Sequence, residues 1–247
     1  MKRRFLAIHP LIGTKHKPAP ASAMQRSPYY WWWAYLRRNE DYLTCCEQGG
    51  KGPLAWLYAD FGDMRSEDFR EWWGGSLQRG QRLFSEEPMP LRLEKLNSPS
   101  DWREDWTAED VLVMAVSRHV NKQKLEEYFS NLLRKEGIGQ QGRLALASAK
   151  STARYPLYRN FSQYNLKVML TAYDAWKANE QLPKAERRTL WQVGEQLKLV
   201  PSAITTAKDT KYELSNKRNV MSVAVSRYVK QAKAIIANTA KGQFPLS

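Results

Sequence analysis

The side chains of this sequence that could do chemistry are few and scattered. Cys45 and Cys46 are its two cysteines, and they are adjacent. Neighbouring cysteines strain any bond between them. A vicinal thiol pair could hold a metal or act in redox chemistry, but no histidine lies nearby, so packing in a core is the expected role. His9, His16 and His119 stand apart in sequence. Asp101, Glu104, Asp105, Glu109 and Asp110 gather around Trp102 and Trp106, and clustered carboxylates suit a hard divalent cation. They spread over more than one helical face, however, and Thr107 with Asp110 reads better as a helix cap. The sequence has no nucleophile motif, zinc spacing or dinucleotide glycine fingerprint, and Gly49-Gly50-Lys51-Gly52-Pro53 lacks the spacing and hydroxyl of a phosphate-binding loop. A nuclease built from carboxylates alone remains the one open catalytic reading. The expectation is a protein that is not an enzyme and uses no cofactor or metal.

The charge pattern says more. The 247 residues hold 39 Lys and Arg against 25 Asp and Glu, a net +14. Such an excess favours a polyanionic partner, nucleic acid before an anionic membrane surface. It is unevenly placed. Residues 1–20 carry five bases and no acid, the middle of the chain is close to neutral, and residues 151–247 carry 16 bases against six acids. One basic module attached to a less basic one would give this asymmetry. Two cysteines exclude a disulfide framework and point to a reducing compartment, so a cytoplasmic location is expected. The start imitates a signal peptide, but its apolar stretch is cut by His9 and Pro10. No apolar run approaches the roughly 18 residues of a membrane span, and no membrane partner is expected.

The elements that would position these residues are mainly helical. Residues 1–27 read as a basic arm, extended because Pro10, Pro18 and Pro20 oppose a helix. Ser27 and Pro28 then open a helix. Its Tyr29, Trp32, Trp33, Leu36 and Tyr35 recur at three-and-four spacing, while Trp31, Arg37 and Arg38 point elsewhere. An aromatic strip next to arginines could stack bases, but the same periodicity serves a helix docked into a core, and that reading is preferred. Leu54 to Phe61 is a short helix or strand, and Leu91 to Leu96 alternates like a strand. One long helix is expected over 108–136, with Val113, Val116, Val120, Tyr128, Leu132 and Leu133 apolar. The expected organisation is therefore an arm at 1–27, an aromatic-rich helical domain at 28–136, a glycine-rich linker at 137–150 and a basic domain at 151–247.

The most informative stretch lies in that last segment, from Thr189 to Lys208. Val193 precedes the small Gly194, Leu197 closes a helix, Leu199 follows a turn at Lys198, and Ile204 and Ala207 recur at inward spacing. This resembles the helix-turn-helix proteins, with Lys198 standing where glycine is usual. The resemblance implies a second helix whose exposed Pro201, Ser202, Thr205, Thr206 and Lys208 enter a major groove. Lys211, Lys217, Arg218, Arg227 and Lys230 would meet phosphates. The stretch from Thr210 to Asn216 is open as a wing or a loop. A long helix from Asn219 to Ala240 follows, burying Met221, Val225, Val229, Ala232 and Ile236. Ala115 to Val120 also echoes Ala224 to Val229, as two related domains or two helices of similar period would. The expected partner is double-stranded DNA, with a homodimer as an open arrangement. The chain has a general likeness to regulators carried by bacterial mobile elements. The implied role is a transcriptional regulator, or an accessory of replication or recombination in a phage, plasmid or integrative element. The competing class is a non-catalytic interaction or structural factor of such an element that works near nucleic acid.

Overall fold

The computed structural model describes residues 3–14, 16–65, 68–86, 95–101, 112–136, 151–158 and 162–246. Among these residues the regular structure is ten α-helices, short 3-10 turns and isolated β-bridges. The helices are α1 (Ala21–Met24), α2 (Pro28–Leu36), α3 (Glu40–Glu47), α4 (Ala55–Phe61), α5 (Phe69–Gly74), α6 (Arg79–Phe84), α7 (Lys122–Lys135), α8 (Gln163–Glu180), α9 (Leu190–Gln196) and α10 (Lys211–Thr239). They fall into two compact units. Met1–Glu87 and Leu144–Ser247 together make the first, and Pro88–Arg143 makes the second.

The first unit is organised by α2. Ser27 Oγ accepts from the Tyr29 amide at 3.3 Å and Pro28 occupies the first turn, as the sequence predicts. The single apolar face does not survive, because every residue from Trp31 to Leu36 is buried. Trp31, expected to point away, packs inward and donates its Nε1 to the Gln25 carbonyl at 2.8 Å. Around α2 stands an aromatic core. Trp32 meets Phe84 and Phe244 with ring centroids 5.2 and 5.3 Å apart. Phe61 stacks on Trp72, and Trp73 stacks on Tyr29. These rings are covered by protein and offer no face to a nucleic-acid base. Both cysteines are buried thiols, Cys46 within this core, and burial pushes Cys46 up.

The C-terminal helices complete the same core. The Tyr35 hydroxyl donates to the Leu166 carbonyl on α8 at 2.9 Å. Asn39 caps α3 through its oxygen and donates its amide to the Ile236 carbonyl on α10 at 3.1 Å. Arg38 grips Asp174 of α8 with two bonds of 2.9 and 2.7 Å, the fork geometry that suits a carboxylate. One edge of the second unit falls at Arg143, within the expected linker 137–150, but the aromatic segment packs with the basic one and not with residues 88–136. Residues 28–87 and 151–246 share one hydrophobic interior.

The N-terminal segment also lies on this core. Phe5 sits 5.5 Å from the Trp73 ring, Arg4 bridges to Glu86, and the Ala7 amide donates to the Tyr29 hydroxyl at 3.2 Å. A one-turn helix, α1, follows Pro20 where only an arm was expected. His9 fastens the segment. Its Nδ1 lies 2.8 Å from the Pro10 carbonyl and donates to it, which leaves Nε2 to accept from Trp73 Nε1 at 3.2 Å. Burial lowers its pKa from 6.5. The unfolded chain therefore takes up the proton first as pH falls. The bond contributes fully above 6.5, and stability is lost on acidification below that value. The expected result is a melting temperature that drops on acidification for the wild type and drops less for His9→Gln. Parallel curves would contradict the role given to His9.

In the second unit, Asp101 accepts from the Asn97 and Ser98 amides in a local turn. Among the described residues of the helix expected over 108–136, the helix begins at Lys122, where Asn121 caps it by accepting from Lys124 N at 3.0 Å. Residues 112–121 are not helical, since an Asn cap starts a helix afresh rather than continuing one. The echo of Ala115–Val120 in Ala224–Val229 therefore adopts two different backbones. The Thr107–Asp110 cap, residues 91–94 of the strand expected at Leu91–Leu96 and the carboxylates at 104, 105, 109 and 110 lie outside the described residues, and Lys95 and Leu96 belong to no strand. α7 carries no buried residue among those described, and its Tyr128 is 59% exposed.

Candidate nucleic-acid interface

The basic C-terminal surface is built on three packed helices, α8, α9 and α10. α9 starts at a capping box: the Thr189 amide donates to Gln192 Oε1 at 2.8 Å, with the reciprocal bond present. Val193 and Gly194 are buried. Gly194, the small residue of the resemblance, is a close-contact position, but its neighbours are Met221 and Val225 of α10 and not a helix at 201–208. A Cβ built there would lie 2.6 Å from Met221 Cγ and 2.7 Å from Val225 Cγ2. Gly194→Leu should therefore push α9 off α10 and cost about 1–3 kcal/mol. Urea melts read this, and an unchanged midpoint would mean that the contact carries no weight.

The turn after α9 forms despite its lysine. Lys198 takes φ +52°, a left-handed conformation that costs a non-glycine residue about 1–2 kcal/mol. Its amide bonds to the Glu195 carbonyl at 3.0 Å, and the Leu199 amide bonds to the Gly194 carbonyl at 3.1 Å. This pair of bonds is the Schellman ending of a helix.

The second helix of the resemblance is absent from the described structure. Pro201–Ala203 is a single 3-10 turn, and 204–210 belongs to no helix. The physical reason lies in the side chains. Ile204, Thr205 and Thr206 are β-branched and disfavour helix, and local acceptors capture their amides instead. Thr205 donates its amide to Glu195 at 2.8 Å and its hydroxyl to the same carboxylate. Thr206 N donates to Asp209 Oδ2 at 2.7 Å. Ala207, expected to face inward, is exposed, while Ala203 is buried. Of the residues assigned to base reading, Pro201, Ser202, Thr206 and Lys208 are exposed, whereas Thr205 is half-buried and holds Glu195.

The stretch left open as a wing or loop is the first part of α10. Thr210 caps it through a capping box with Glu213, bonded at 2.8 Å. α10 runs 29 residues, about 43 Å, and buries Met221, Val225, Val229, Ala232 and Ile236 as the spacing predicts. Its opposite side is the feature missed in the sequence. Tyr212, Asn216, Asn219, Val223, Arg227 and Lys230 recur at intervals of three and four and are all exposed. The signal was present, because no Asp or Glu follows Glu213.

Five of the six acids of residues 151–247 are engaged within the fold, and the sixth, Glu186, is exposed in the turn between α8 and α9. Asp174 holds Arg38, Glu180 holds Arg187, Glu195 holds Thr205, and Glu213 caps α10. Asp209 holds Lys217 at 2.7 Å, a bond that keeps the Asp209 carboxyl below its ordinary range. Lys217 is thus paired and half-buried, and Arg218 lies over the Trp191 ring at 4.4 Å. Lys198, Lys208, Lys211, Arg227 and Lys230 are exposed, and none has an acidic partner among the described residues. No helix among the described residues is long and apolar enough to cross a membrane. Compared with known proteins, the chain matches no family model, no curated protein and no solved structure.

Proposed function

We propose that the chain binds double-stranded DNA, with the outer side of α10 as the element presented to the duplex. It would act by occupancy rather than catalysis, as a regulator or as an accessory of replication or recombination. One observation carries the reading: five of the six acids around α8–α10, all but the exposed Glu186, are tied to partners within the fold, and a side of α10 with no acid is left facing water. A major groove is about 12 Å wide and admits one helix. On this helix Asn216 and Asn219 have the paired donor and acceptor that match an adenine edge, and Arg227 has the fork that matches guanine. Lys208 and Lys211 stand at the start of α10, Lys198 in the turn after α9, and all three suit phosphates.

This reading keeps the partner implied by the helix-turn-helix resemblance and moves the reading element from 201–208 to α10. The test is duplex binding by the full chain across a salt series, with paired substitutions of Asn219 and Lys230.

A further inference from the structure

Where α8, α9 and α10 meet there is a cleft of about 330 Å³ lined by Trp176, Leu190, Ser226, Val229, Lys230 and Lys233. Its chemistry is divided. Leu190 and Val229 make an apolar floor, and Trp176 adds a half-exposed indole. Ser226, Lys230 and Lys233 are exposed along one edge. The Lys233 ammonium rests 3.6 Å from the centre of the Trp176 ring. The acids of the neighbouring helix turn are occupied elsewhere, Asp174 by Arg38 and Glu180 by Arg187, while Lys177 is held by Glu40. The rim is therefore positive, beside a flat aromatic face.

A flat apolar surface next to two cations matches a ligand with a planar ring and a negative group one sugar away. We propose that this cleft takes an unstacked nucleobase together with its phosphate. The base lies on Trp176 over Leu190 and Val229, and the phosphate sits between Lys230 and Lys233. The cleft has the volume expected of a small-ligand site. Lys233 leaves the ring when the base arrives, because stacking a base on an indole outweighs an exposed cation–π contact. Its flexible stem then carries the charge to the phosphate. The proposal rests on the DNA reading for the supply of a strand, since both use α10 and share Lys230, while Trp176 and Lys233 belong to the cleft alone.

The test uses the full chain and three probes: an uninterrupted duplex, the same duplex with one unpaired 2-aminopurine, and free 2-aminopurine deoxyribonucleoside monophosphate. The expected result is about tenfold tighter binding of the interrupted duplex than of the plain one, with quenching of the 2-aminopurine fluorescence. Trp176→Leu keeps the apolar filling but not the stacking face, and it should abolish the preference and the quenching while plain duplex binds as before. If that variant does not fold, Lys233→Glu, an exposed change, should lose the preference in the same way. Quenching of the free monophosphate by a chain that does not bind duplex would support the cleft and sink the DNA reading. Salt-dependent duplex binding with no preference and no quenching would overturn the cleft alone.

Discussion

Trp32→Ala should cost the protein about 3–5 kcal/mol, the usual loss when a large aromatic is emptied from a core. Total stabilities are about 5–15 kcal/mol, so this one change should leave the protein close to unfolding. Trp32 is 0% exposed and touches rings from four other parts of the chain: Phe61, Phe84, Tyr155 and Phe244. Neighbours so widely spread cannot collapse together into the space, so the cavity term stays large. Trp32→Phe should cost much less. It keeps most of the ring contact and removes a buried Nε1 that has no acceptor among the described residues. Urea unfolding of the two variants decides the matter. If Ala and Phe proved equally mild, the aromatic core would not be what holds the N-terminal and C-terminal segments together.

That core also explains which parts of the fold could be read in advance. Local signals served well. Ser27 and Pro28 marked a helix start, and the spacing of Met221, Val225, Val229, Ala232 and Ile236 marked the inner side of α10. Where burial is complete, periodicity says nothing, and Trp31 was misplaced for that reason. The joining of residues 28–87 to 151–246 was not legible, because charge reports the surface while compact units follow the interior. The bonds from Tyr35 to Leu166 and from Asn39 to Ile236 join residues 131 and 197 positions apart, and no local pattern encodes them. At 201–208 the inward spacing of Ile204 and Ala207 imitated a helix. The capture of the Thr205 and Thr206 amides by Glu195 and Asp209 decided otherwise. A fragment of 151–247 alone would lose the α2 side of its core, so DNA binding must be measured on the whole chain.

The second large effect is expected at α10. Five exposed cations, Lys198, Lys208, Lys211, Arg227 and Lys230, lack acidic partners among the described residues. If each neutralises one phosphate, log K should fall against log salt with a slope of about −4.5, or about 500-fold between 50 and 200 mM. Two substitutions on the same strip should then behave differently. Lys230→Ala should weaken specific and random duplexes alike and bring the slope about one unit closer to zero. Asn219→Ala should leave random binding and the slope unchanged and narrow the gap to a preferred sequence by about 1–3 kcal/mol. Both side chains are exposed, so neither change should move the melting temperature.

The measurement that bears most directly on duplex binding through α10 is the salt slope of the full chain, taken beside a variant with Lys211, Arg227 and Lys230 all changed to Ala. A slope near −4.5 for the wild type, and one about three units shallower for the variant at unchanged stability, is the predicted result. A flat wild-type slope, or a variant that keeps the wild-type slope, would contradict it.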